Sequence, residues 1–446
     1  MSDPNLAALV MAGGLGTRMR SETPKHLHPL LGRRMLDWVL DAVMATDASR
    51  TVVVVSPQTR DAIAGSLPEG IDVAVQHEPL GTGDAVASAR DALAGFDGDI
   101  LVVSGDTPLI TRDVLGDLVA AHRRAGAAAT ALSIEPGTDF PYGRLVRDES
   151  GRLREIVEAA DATPEQLEII ELNASIYVFG ARDLWHAVER LDARNAQGEL
   201  YLTDTIRHLA EAGRPVDAHL TADTTAAVGV NTRAELAQAA AVLRDRVNEE
   251  HMLAGVTILD PQSTWIDPDV ELEPDATVHP FTVLRGGSRV AAGAEIGPHA
   301  VVVSAEIGAG AIVGPFCYLR PGTVLEAGAK AGTFVEIKNS HVGEGAKVPH
   351  LSYIGDAEIG AGANIAAGNI TANFPHQPGR PKGRTTIGRN VRTGIHNGFI
   401  APVTIGDDAW IAAGSVITKD VPAEALAVAR SRQINKEGFA SRDGDD

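Results

Sequence analysis

A glycine-rich segment near the start of the chain has the residue types that could hold a nucleotide phosphate. Residues 11–19 read Met-Ala-Gly-Gly-Leu-Gly-Thr-Arg-Met, and Pro24-Lys25 begins six residues after Arg18. Glycines let the backbone approach a phosphate closely, and exposed N–H groups form an anion-binding nest. The charges of Arg18 and Lys25 could then neutralise a triphosphate and its pyrophosphate leaving group.

Lys25 is also distinguished by composition. It is the only lysine in the first 250 residues, where the other Lys/Arg charges come from 22 arginines. A chain that otherwise uses arginine but keeps one lysine beside a candidate phosphate loop indicates a need for a compact ammonium there. The alternative is a lysine that occurs by chance on a solvated loop.

A carboxylate at a strand end could hold a metal ion. Asp106 closes the segment Ser104-Gly105-Asp106, directly after the β-branched run 100–104. Its oxygens could hold Mg²⁺ against phosphate oxygens. The same aspartate could instead cap the helix that follows, and the sequence leaves both roles open.

A second group of candidate residues lies in the other half of the chain. His350 has Arg320 and Lys338 upstream and Asn364 and Asn373 downstream. A neutral imidazole could remove a proton from an attacking amine near pH 7, although a single histidine often has only a structural role. Arg320 and Lys338 are 18 positions apart, so both cations could reach one phosphate if that distance is one coil of a repeat structure.

The first half of the chain alternates strand-like and helix-like segments. Apolar runs at 6–11, 51–56 and 100–104 alternate with segments of helical periodicity at 35–45 and 84–93. This alternation predicts an α/β domain with a parallel sheet. Such sheets bind ligands beyond the carboxyl ends of their strands, where the glycine-rich turn and Asp106 both lie.

The second half is built from short repeats. Ile-Gly and Val-Gly pairs recur, and apolar residues return every six positions, as in the series Phe399, Ile405, Ile411 and Ile417. A period of six predicts an all-β parallel β-helix of hexapeptide repeats, with one aliphatic residue of each repeat pointing inward. A glycine-rich β-sandwich is the alternative.

A helix is predicted between the two halves. Residues 232–253 contain neither proline nor glycine and are predicted to form one helix of about 33 Å. We therefore predict a first domain at 1–233, a helical linker at 234–254, a β-helix domain at 255–436 and a flexible polar tail at 437–446.

Composition excludes several classes of protein. Lys and Arg total 39 and Asp and Glu total 59, which leaves a formal net charge of −20. This charge disfavours general binding of nucleic acid or of an anionic membrane, but not of a small phosphorylated ligand. The single cysteine, Cys317, excludes an internal disulfide framework. Because we find neither a membrane-spanning apolar run nor a signal peptide, we expect a cytoplasmic protein.

A series of motifs in a fixed order resembles a known family. The chain carries, in order, Gly14-x-Gly-Thr-Arg-Met, Pro24-Lys25, Gln76, Leu80-Gly-Thr-Gly83, Gly105-Asp106, Tyr142-Gly-Arg144, Ile156-Val-Glu158, Asn173, Asn195-Ala-Gln-Gly-Glu199, Leu202-Thr-Asp204 and Gly229-Val-Asn231. Together they resemble the bacterial bifunctional N-acetylglucosamine-1-phosphate uridyltransferase / glucosamine-1-phosphate N-acetyltransferase family. The likeness runs from about residue 6 to about residue 438.

This resemblance implies a Rossmann-like nucleotidyltransferase domain that transfers a uridylyl group from UTP to N-acetylglucosamine-1-phosphate with Mg²⁺. It assigns catalytic roles to Arg18 and Lys25 and metal binding to Asp106 and Asn231. Gln76, Gly81 and Thr82 would read the uracil, and Gly143, Glu158 and Asn173 would hold the sugar. The full implied nucleotide and sugar set is Met11, Ala12, Gly13, Gly14, Lys25, Gln76, Gly81, Thr82, Ser104, Gly105, Asp106, Gly143, Glu158, Asn173 and Asn231.

For the second half, the resemblance implies a left-handed β-helix that acetylates glucosamine-1-phosphate with acetyl-CoA. His350 would be the general base. The implied sugar-phosphate residues are Arg320, Lys338, Tyr353, Asn364 and Lys382, and the implied acetyl-CoA residues are Ala367, Asn373, Phe374, Ile395, Ala413 and Arg430. The family places this site between the subunits of a homotrimer, so a homotrimer is implied as well.

The chain departs from the family pattern at several positions. Leu15 stands where lysine is frequent, Ile395 stands where serine is common, and the usual Asn-Tyr-Asp-Gly run reads Asn-Phe-Pro-His from Asn373 in a longer loop. These changes fall mainly on the coenzyme pocket. They keep open a nucleotidylyltransferase whose β-helix serves mainly for oligomerisation or uses another acyl donor. A non-catalytic scaffold is disfavoured, because it would need none of Lys25, Asp106, Asn231 and His350.

Overall fold

The first apolar run of the sequence forms the central strand of a sheet. In the computed structural model, which describes residues 3–14, 16–137, 140–375, 379 and 381–441, strand β1 spans Asp3–Ala12. Its alternate residues enter two different core clusters: Leu6, Ala8 and Val10 one, and Ala7 and Leu9 the other. Both faces of the sheet are therefore covered, as an uninterrupted apolar run predicts.

The described chain divides into two compact units, residues 1–243 and 244–446. In the first unit, the nine-stranded sheet has the order β11-β7-β10-β6-β1-β4-β5, with β8 and β9 attached beside β10, and β2 pairs only with β3. The strands are β1 Asp3–Ala12, β2 Pro29–Leu30, β3 Arg33–Arg34, β4 Ala48–Val55, β5 Ile71–Val75, β6 Asp99–Ser104, β7 Ala129–Ile134, β8 Arg144–Arg147, β9 Leu153–Val157, β10 Leu172–Gly180 and β11 Val216–Leu220.

Helices connect these strands. They are α1 Met35–Met44, α2 Arg60–Ala64, α3 Thr82–Ala87, α4 Arg112–Ala125, α5 Pro164–Leu167, α6 Ala181–Val188, α7 Asp204–Glu211 and α8 Arg233–Leu253, with short 3₁₀ helices at Thr17–Met19, Lys25–Leu27 and Phe439–Ser441. Strand β1 pairs in parallel with both β4 and β6. The carboxyl ends of β1 and β6 are therefore neighbours, which brings the glycine-rich turn to Asp106 and confirms the predicted α/β class.

The second unit is a parallel β-helix, as the six-residue period predicts. Its strands form three stacks. The first stack holds Thr257–Ile258, Thr277–Val278, Glu295–Ile296, Ile312–Val313, Lys330–Thr333 and Lys347–His350, and continues through Asn364 to Arg392–Thr393, Trp410–Ile411 and Leu426–Ala427. The second holds Trp265–Ile266, Val283–Arg285, Val301–Val303, Tyr318–Leu319, Glu336–Lys338, Tyr353–Gly355, Ile370–Ala372, Gly398–Ile400 and Val416–Ile417. The third holds Glu271–Leu272, Arg289–Val290, Glu306–Ile307, Val324–Leu325, His341–Val342, Ala357–Ile359, Thr385–Ile387 and Val403–Ile405.

The inward residues of the coil are those that the period singled out. Phe399, Ile405, Ile411 and Ile417 are all buried. Most neighbouring strands of one stack are a coil of 17 or 18 residues apart, as in His341 with Glu358 and Glu271 with Arg289. Stacked aliphatic side chains in the core thus replace aromatic ones, consistent with an aromatic content of 4%.

Three corners join the stacks, and they use different residues. The first corner, between the first and second stacks, carries Phe281, His299, Phe316, Phe334 and Leu351. The second corner, between the second and third stacks, carries Ser304, Asn339 and Asp356, and the third carries a column of glycines that gives way to Asn390 and Asp408. All of these residues have positive φ. Glycine therefore dominates only one of the three corners.

One coil is longer than the rest. Glu358 pairs with Thr386, whereas the preceding coil pairs His341 with Glu358, so the longer coil has 28 residues instead of 17. The extra residues leave the coil at the second corner, directly after Asn373. His376, which belongs to the altered motif, lies outside the described residues, as do residues 442–446 of the predicted tail. The predicted domain boundaries, the tail and the left hand of the coil stay predictions; the structure places one helix at Arg233–Leu253.

Candidate active sites

The glycine-rich turn after β1 brings the backbone against Lys25. Gly16 has φ +62, and a Cβ atom there would overlap the Cβ of Lys25. Only glycine combines this backbone conformation with such a close approach. The turn therefore presents its backbone to the same space that Lys25 occupies, while Leu15 lies outside the described residues.

Lys25 is buried at the centre of a partly buried polar cluster. Its ammonium donates to the carboxylate of Asp106 and to Oδ1 of Asn231, the latter at 2.7 Å. The guanidinium of Arg18 donates to that same amide oxygen at 2.9 Å, and Ser104 Oγ donates to Asp106 Oδ1 at 2.7 Å. Asp106 follows β6 and Asn231 precedes α8, so three separate parts of the chain meet at this lysine.

The electrostatics of the cluster keep Asp106 ionised. Burial alone would raise the pKa of Asp106, but the charge and hydrogen bond of Lys25 outweigh it and hold that pKa below its usual value. The neighbouring His26 is buried, and burial lowers its pKa to about 4. Its ring is therefore neutral near pH 7, so the positive charge here comes from Lys25 and Arg18.

The oxygens around Lys25 fit a magnesium ion. Asp106 Oδ2 and Asn231 Oδ1 both accept from one ammonium, so they are close enough to share one cation. In the part of the chain that the structure describes, no group of three or more His, Cys, Asp or Glu side chains could hold a metal. A carboxylate and an amide oxygen suit Mg²⁺, which usually keeps several water or phosphate ligands.

A cleft of about 440 Å³ opens over this cluster. Of the predicted catalytic, nucleotide and sugar residues of this unit, those that line it are Met11, Gly13, Gly14, Arg18, Lys25, Gln76, Gly81, Thr82, Ser104, Asp106 and Asn231. Those that do not are Ala12, Gly105, Gly143, Glu158 and Asn173. Six further residues line the cleft although they were not among the predicted site residues: Gly16, Thr17, His26, Pro79, Ala85 and Glu199. His26 follows Lys25 in the sequence, and Glu199 is the last residue of the motif 195–199. The motifs could therefore have pointed to both residues.

Gln76 is held in one orientation beside the glycine-rich turn. Its amide nitrogen donates to the carbonyl of Gly81 at 3.0 Å and to Asp84 Oδ2 at 2.9 Å. The hydroxyl of Thr82 accepts from the backbone N–H of Leu202 at 3.0 Å. This fixed amide, whose oxygen lies beside Gly13, could read a nucleobase edge.

The predicted sugar residues form a separate group. The backbone N–H of Asn173 donates to the carbonyl of Gly143 at 2.8 Å, and the Asn173 amide donates to the hydroxyl of Tyr177 at 2.7 Å. Glu158 accepts from the hydroxyl of Thr203 at 3.0 Å. Burial raises the pKa of Glu158. Gly143 and Asn173 are thus in contact, although neither lines the cleft described above.

We expect Gly13→Ala to weaken UTP binding with little effect on the fold. A Cβ atom at Gly13 would lie 2.7 Å from Oε1 of Gln76, so the amide would have to move. Because the Gln76 side chain can shift, the cost should fall on nucleotide recognition, with KM for UTP rising about tenfold. Steady-state kinetics check this, with Gly116→Ala in helix α4 as the matched control, since this glycine does not line the cleft and nothing lies within 4 Å of a Cβ there. An equal rise in both variants would contradict it.

In the second unit, the predicted sugar-phosphate residues bring together three cations. Lys338 lies on the second stack with Arg320 one coil earlier, and the ammonium of Lys382 beside it lowers the pKa of Lys338, an effect to which Arg320 adds. Arg320 also donates to Glu336 Oε1 at 2.8 Å. Crowded like charges are unfavourable without an anion, so the group is suited to a phosphate.

His350 and Tyr353 lie at the junction of the first and second stacks. His350 ends its strand, is exposed, and uses its carbonyl to accept from the hydroxyl of Ser352 at 2.8 Å. A Cβ atom at Gly355 would overlap the Tyr353 hydroxyl, so this tyrosine lies across Gly355, the strand partner of Lys338. Asn364 continues the first stack, bridged to Lys347 and Arg392. The imidazole is thus accessible to a substrate.

The predicted coenzyme residues divide between two corners. The backbone N–H of His396 donates to the carbonyl of Ala367 at 2.9 Å, and that of Gly414 donates to the carbonyl of Ile395 at 2.9 Å. Ala413 adjoins Gly414, and Arg430 packs near it, so four of the six form one column at the first corner. Asn373 and Phe374 lie at the second corner instead, where the Asn373 side chain is buried and donates to Asp356.

Comparisons with known proteins agree with this two-part architecture. Residues 8–212 match the family model described as the MobA-like NTP transferase domain. The chain is 46% identical over 460 residues to the bifunctional protein GlmU of Mycobacterium bovis, covering 98% of this chain and 92% of that protein. It is 47% identical to the protein of that name from Streptomyces griseus, covering 98% and 94%, and 43% identical to that from Pelobacter propionicus, covering 98% of each. Among the described residues, no helix has both the length and the apolar character needed to span a bilayer.

Proposed function

This chain belongs to the GlmU family of bifunctional acetyltransferase/uridyltransferases, and from that premise we propose which residues perform its two reactions. Acetyl transfer from acetyl-CoA to glucosamine-1-phosphate comes first. Uridylyl transfer from UTP to the N-acetylglucosamine-1-phosphate formed comes second and releases pyrophosphate. The single observation that carries the assignment of the first unit is the convergence of Lys25, Asp106 and Asn231 in a cleft.

In uridylyl transfer, an oxygen of the sugar phosphate attacks the α-phosphorus of UTP. The bond to the β-phosphate oxygen breaks, and pyrophosphate leaves with the negative charge. Lys25 and Arg18 neutralise that charge, while the backbone N–H groups of the glycine-rich turn hold the phosphates. Asp106 and Asn231 would hold a Mg²⁺ ion, which when bound supplies further charge neutralisation at the phosphates. The fixed amide of Gln76 reads the uracil.

In acetyl transfer, the amine of glucosamine-1-phosphate attacks the thioester carbonyl of acetyl-CoA. His350 removes a proton from the attacking amine, and coenzyme A leaves as its thiol after taking up a proton. Arg320, Lys338 and Lys382 hold the phosphate of the acceptor, and Tyr353 and Asn364 help to orient the sugar. The cluster of three cations and the accessible imidazole support this assignment.

We further propose that the chain works as a homotrimer in the cytoplasm, where UTP and acetyl-CoA are available. Support comes from an apolar strip on the coil. Phe281, Phe316, Phe334 and Leu351 are exposed at the first corner, and His299 stacks between the first two rings at 4.7 and 4.8 Å. An exposed apolar strip of this kind is typical of an interaction surface, and it ends beside His350. Light scattering that gives one chain per particle would contradict the trimer.

An assay with both product readouts tests the assignment. Purified protein is supplied with glucosamine-1-phosphate, acetyl-CoA, UTP and Mg²⁺, and the release of coenzyme A and of pyrophosphate is followed separately. We expect coenzyme A release first, and pyrophosphate release that stops when EDTA is added. If N-acetylglucosamine-1-phosphate yields pyrophosphate but glucosamine-1-phosphate never yields coenzyme A, the acetyltransferase assignment fails. The second candidate would then be a nucleotidylyltransferase whose β-helix serves mainly for oligomerisation or uses another acyl donor.

A further inference from the structure

A buried carboxylate outside the assigned acetyltransferase residues lies at the base of the long loop. Asp356 is 8% exposed, at the second corner of the coil. Its Oδ1 accepts from the amide of Asn339 and its Oδ2 accepts from the amide of Asn373. These three corner residues belong to successive coils. A buried carboxylate is costly unless its oxygens are satisfied, so this arrangement is specific rather than incidental.

The same residue also ties together the strands on both sides of that corner. The backbone N–H of Asp356 donates to the carbonyl of Lys338 at 3.0 Å, and its carbonyl accepts from the N–H of Thr385 at 3.2 Å. The loop leaves the coil at Asn373 and returns through Gly383, whose N–H donates to the carbonyl of Asn373 at 3.0 Å. Asp356 therefore holds the outgoing residue of the loop by its side chain and the returning strand by its backbone.

These contacts determine where two of the phosphate-binding cations lie. Lys382 precedes Gly383 at the closed base of the loop, and Lys338 precedes Asn339, one of the two amide partners of Asp356. The two ammonium groups repel each other, and Lys382 is the largest cause of the lowered pKa of Lys338. Asp356 acts on Lys338 in the opposite sense, because its negative charge favours the ammonium form. The residues at the base of the loop must therefore be held together by contacts that offset this repulsion.

We propose that Asp356 is a positioning residue for acetyl transfer, which closes the base of the loop through Asn373 and so sets Lys382 against Lys338 for the acceptor phosphate. This inference rests on the proposed function of the second unit and extends it to a residue that neither binds the substrate nor exchanges a proton. Its predicted signature is a change in affinity for glucosamine-1-phosphate rather than in the chemical step.

The test is Asp356→Asn in the full chain. An amide has one acceptor and one NH₂ group, so Asn339 and Asn373 can no longer both donate to position 356, and one of them must turn its oxygen toward the new NH₂ group or face another donor. The charge-assisted character of both hydrogen bonds is lost in either case. We expect KM for glucosamine-1-phosphate to rise about tenfold while kcat changes less than about threefold and uridylyl transfer is unchanged. Asp408→Asn is the matched control. Asp408 has the same positive φ, is exposed and accepts from only one amide, that of Asn390, at 3.1 Å.

A swap variant keeps the test decisive if the single variant folds poorly. When Asp356→Asn is combined with Asn373→Asp, Asn339 can donate to the new amide oxygen at 356 and the new amide can donate to the carboxylate at 373. KM for glucosamine-1-phosphate should therefore return to within about threefold of the original value. Unchanged KM in Asp356→Asn, or a loss in kcat alone, would overturn the inference, as would failure of the swap to restore KM. If the unmodified chain releases no coenzyme A, the proposed function fails instead, which separates the two outcomes.

Discussion

Replacing Lys25 with methionine is expected to lower uridylyl transfer by about 10²–10³-fold while acetyl transfer continues at its normal rate. Methionine has a similar length but no charge, so the leaving pyrophosphate loses one of its two neutralising cations. The carboxylate of Asp106 also loses the ammonium that offsets its burial. Removing one partner of a buried ion pair costs up to about 3–5 kcal/mol, and less here because the Asp106 side chain is 20% exposed.

Separate kinetics of pyrophosphate and coenzyme A release in the same preparation measure this effect. Acetyl transfer by the other unit serves as the internal control for protein quality. Arg154→Met removes an exposed cation from β9 in the same unit and should leave uridylyl transfer unchanged. Lys25→Arg should not restore activity, because a larger planar guanidinium does not replace the compact ammonium that donates to both Asp106 and Asn231. Full activity in either Lys25 variant would contradict the role assigned to this lysine.

Replacing His350 with alanine is expected to lower acetyl transfer by about 10²–10⁴-fold, with uridylyl transfer unchanged. The imidazole is the proposed base for the attacking amine, and its exposure means that its loss leaves no cavity in the core of the coil. The fold should therefore tolerate the change. Coenzyme A release from glucosamine-1-phosphate and acetyl-CoA measures it, and pyrophosphate release from N-acetylglucosamine-1-phosphate reports on the other unit.

A control histidine lies on a different face of the same coil. His341 is on the third stack, where its ring contacts Glu326 and Glu358, so His341→Ala removes partly exposed hydrogen bonds and should leave both activities intact. His350→Gln should be as inactive as His350→Ala, because its amide is not basic. Loss of both activities in a folded His350→Ala protein would refute the separation of the two sites.

Local patterns were enough to predict both architectures. The alternation of β-branched runs and helical segments predicted the α/β unit, because strand and helix periodicities are short-range properties of the chain. The six-residue period predicted the coil, because each repeat buries its own inward residue, as Phe399 and Ile405 do. Some of the predicted coenzyme residues could be selected only through family resemblance, since Ala367 and Ala413 carry no chemical signal of their own.

The corners of the coil show where such patterns fail. Glycine is the residue that positive φ predicts, yet Phe281, Phe316, Phe334, Asn339 and Asp356 all have positive φ here. Stacking on the same corner of the next coil supports some of them, as between the rings of Phe316 and Phe334 at 5.3 Å. Such contacts join residues about one coil apart, so they are not visible in a window of six residues. The contact of Asn373 with Asp356 at the second corner also joins residues one coil apart, so it is not visible in such a window either.

By itself, then, the sequence determined the two fold classes and singled out the candidate phosphate loop with its lysine and the candidate base. Only the tertiary structure decided which of these residues meet. Lys25 contacts Asp106 and Asn231 across separations of 81 and 206 residues, because β1 and β6 are neighbours in the sheet and Asn231 immediately precedes α8. Asp356 likewise contacts Asn339 and Asn373 only because the coil places residues 17 apart next to each other. Sheet order and coil register are long-range properties, so the contacts that build both sites depend on the fold as a whole.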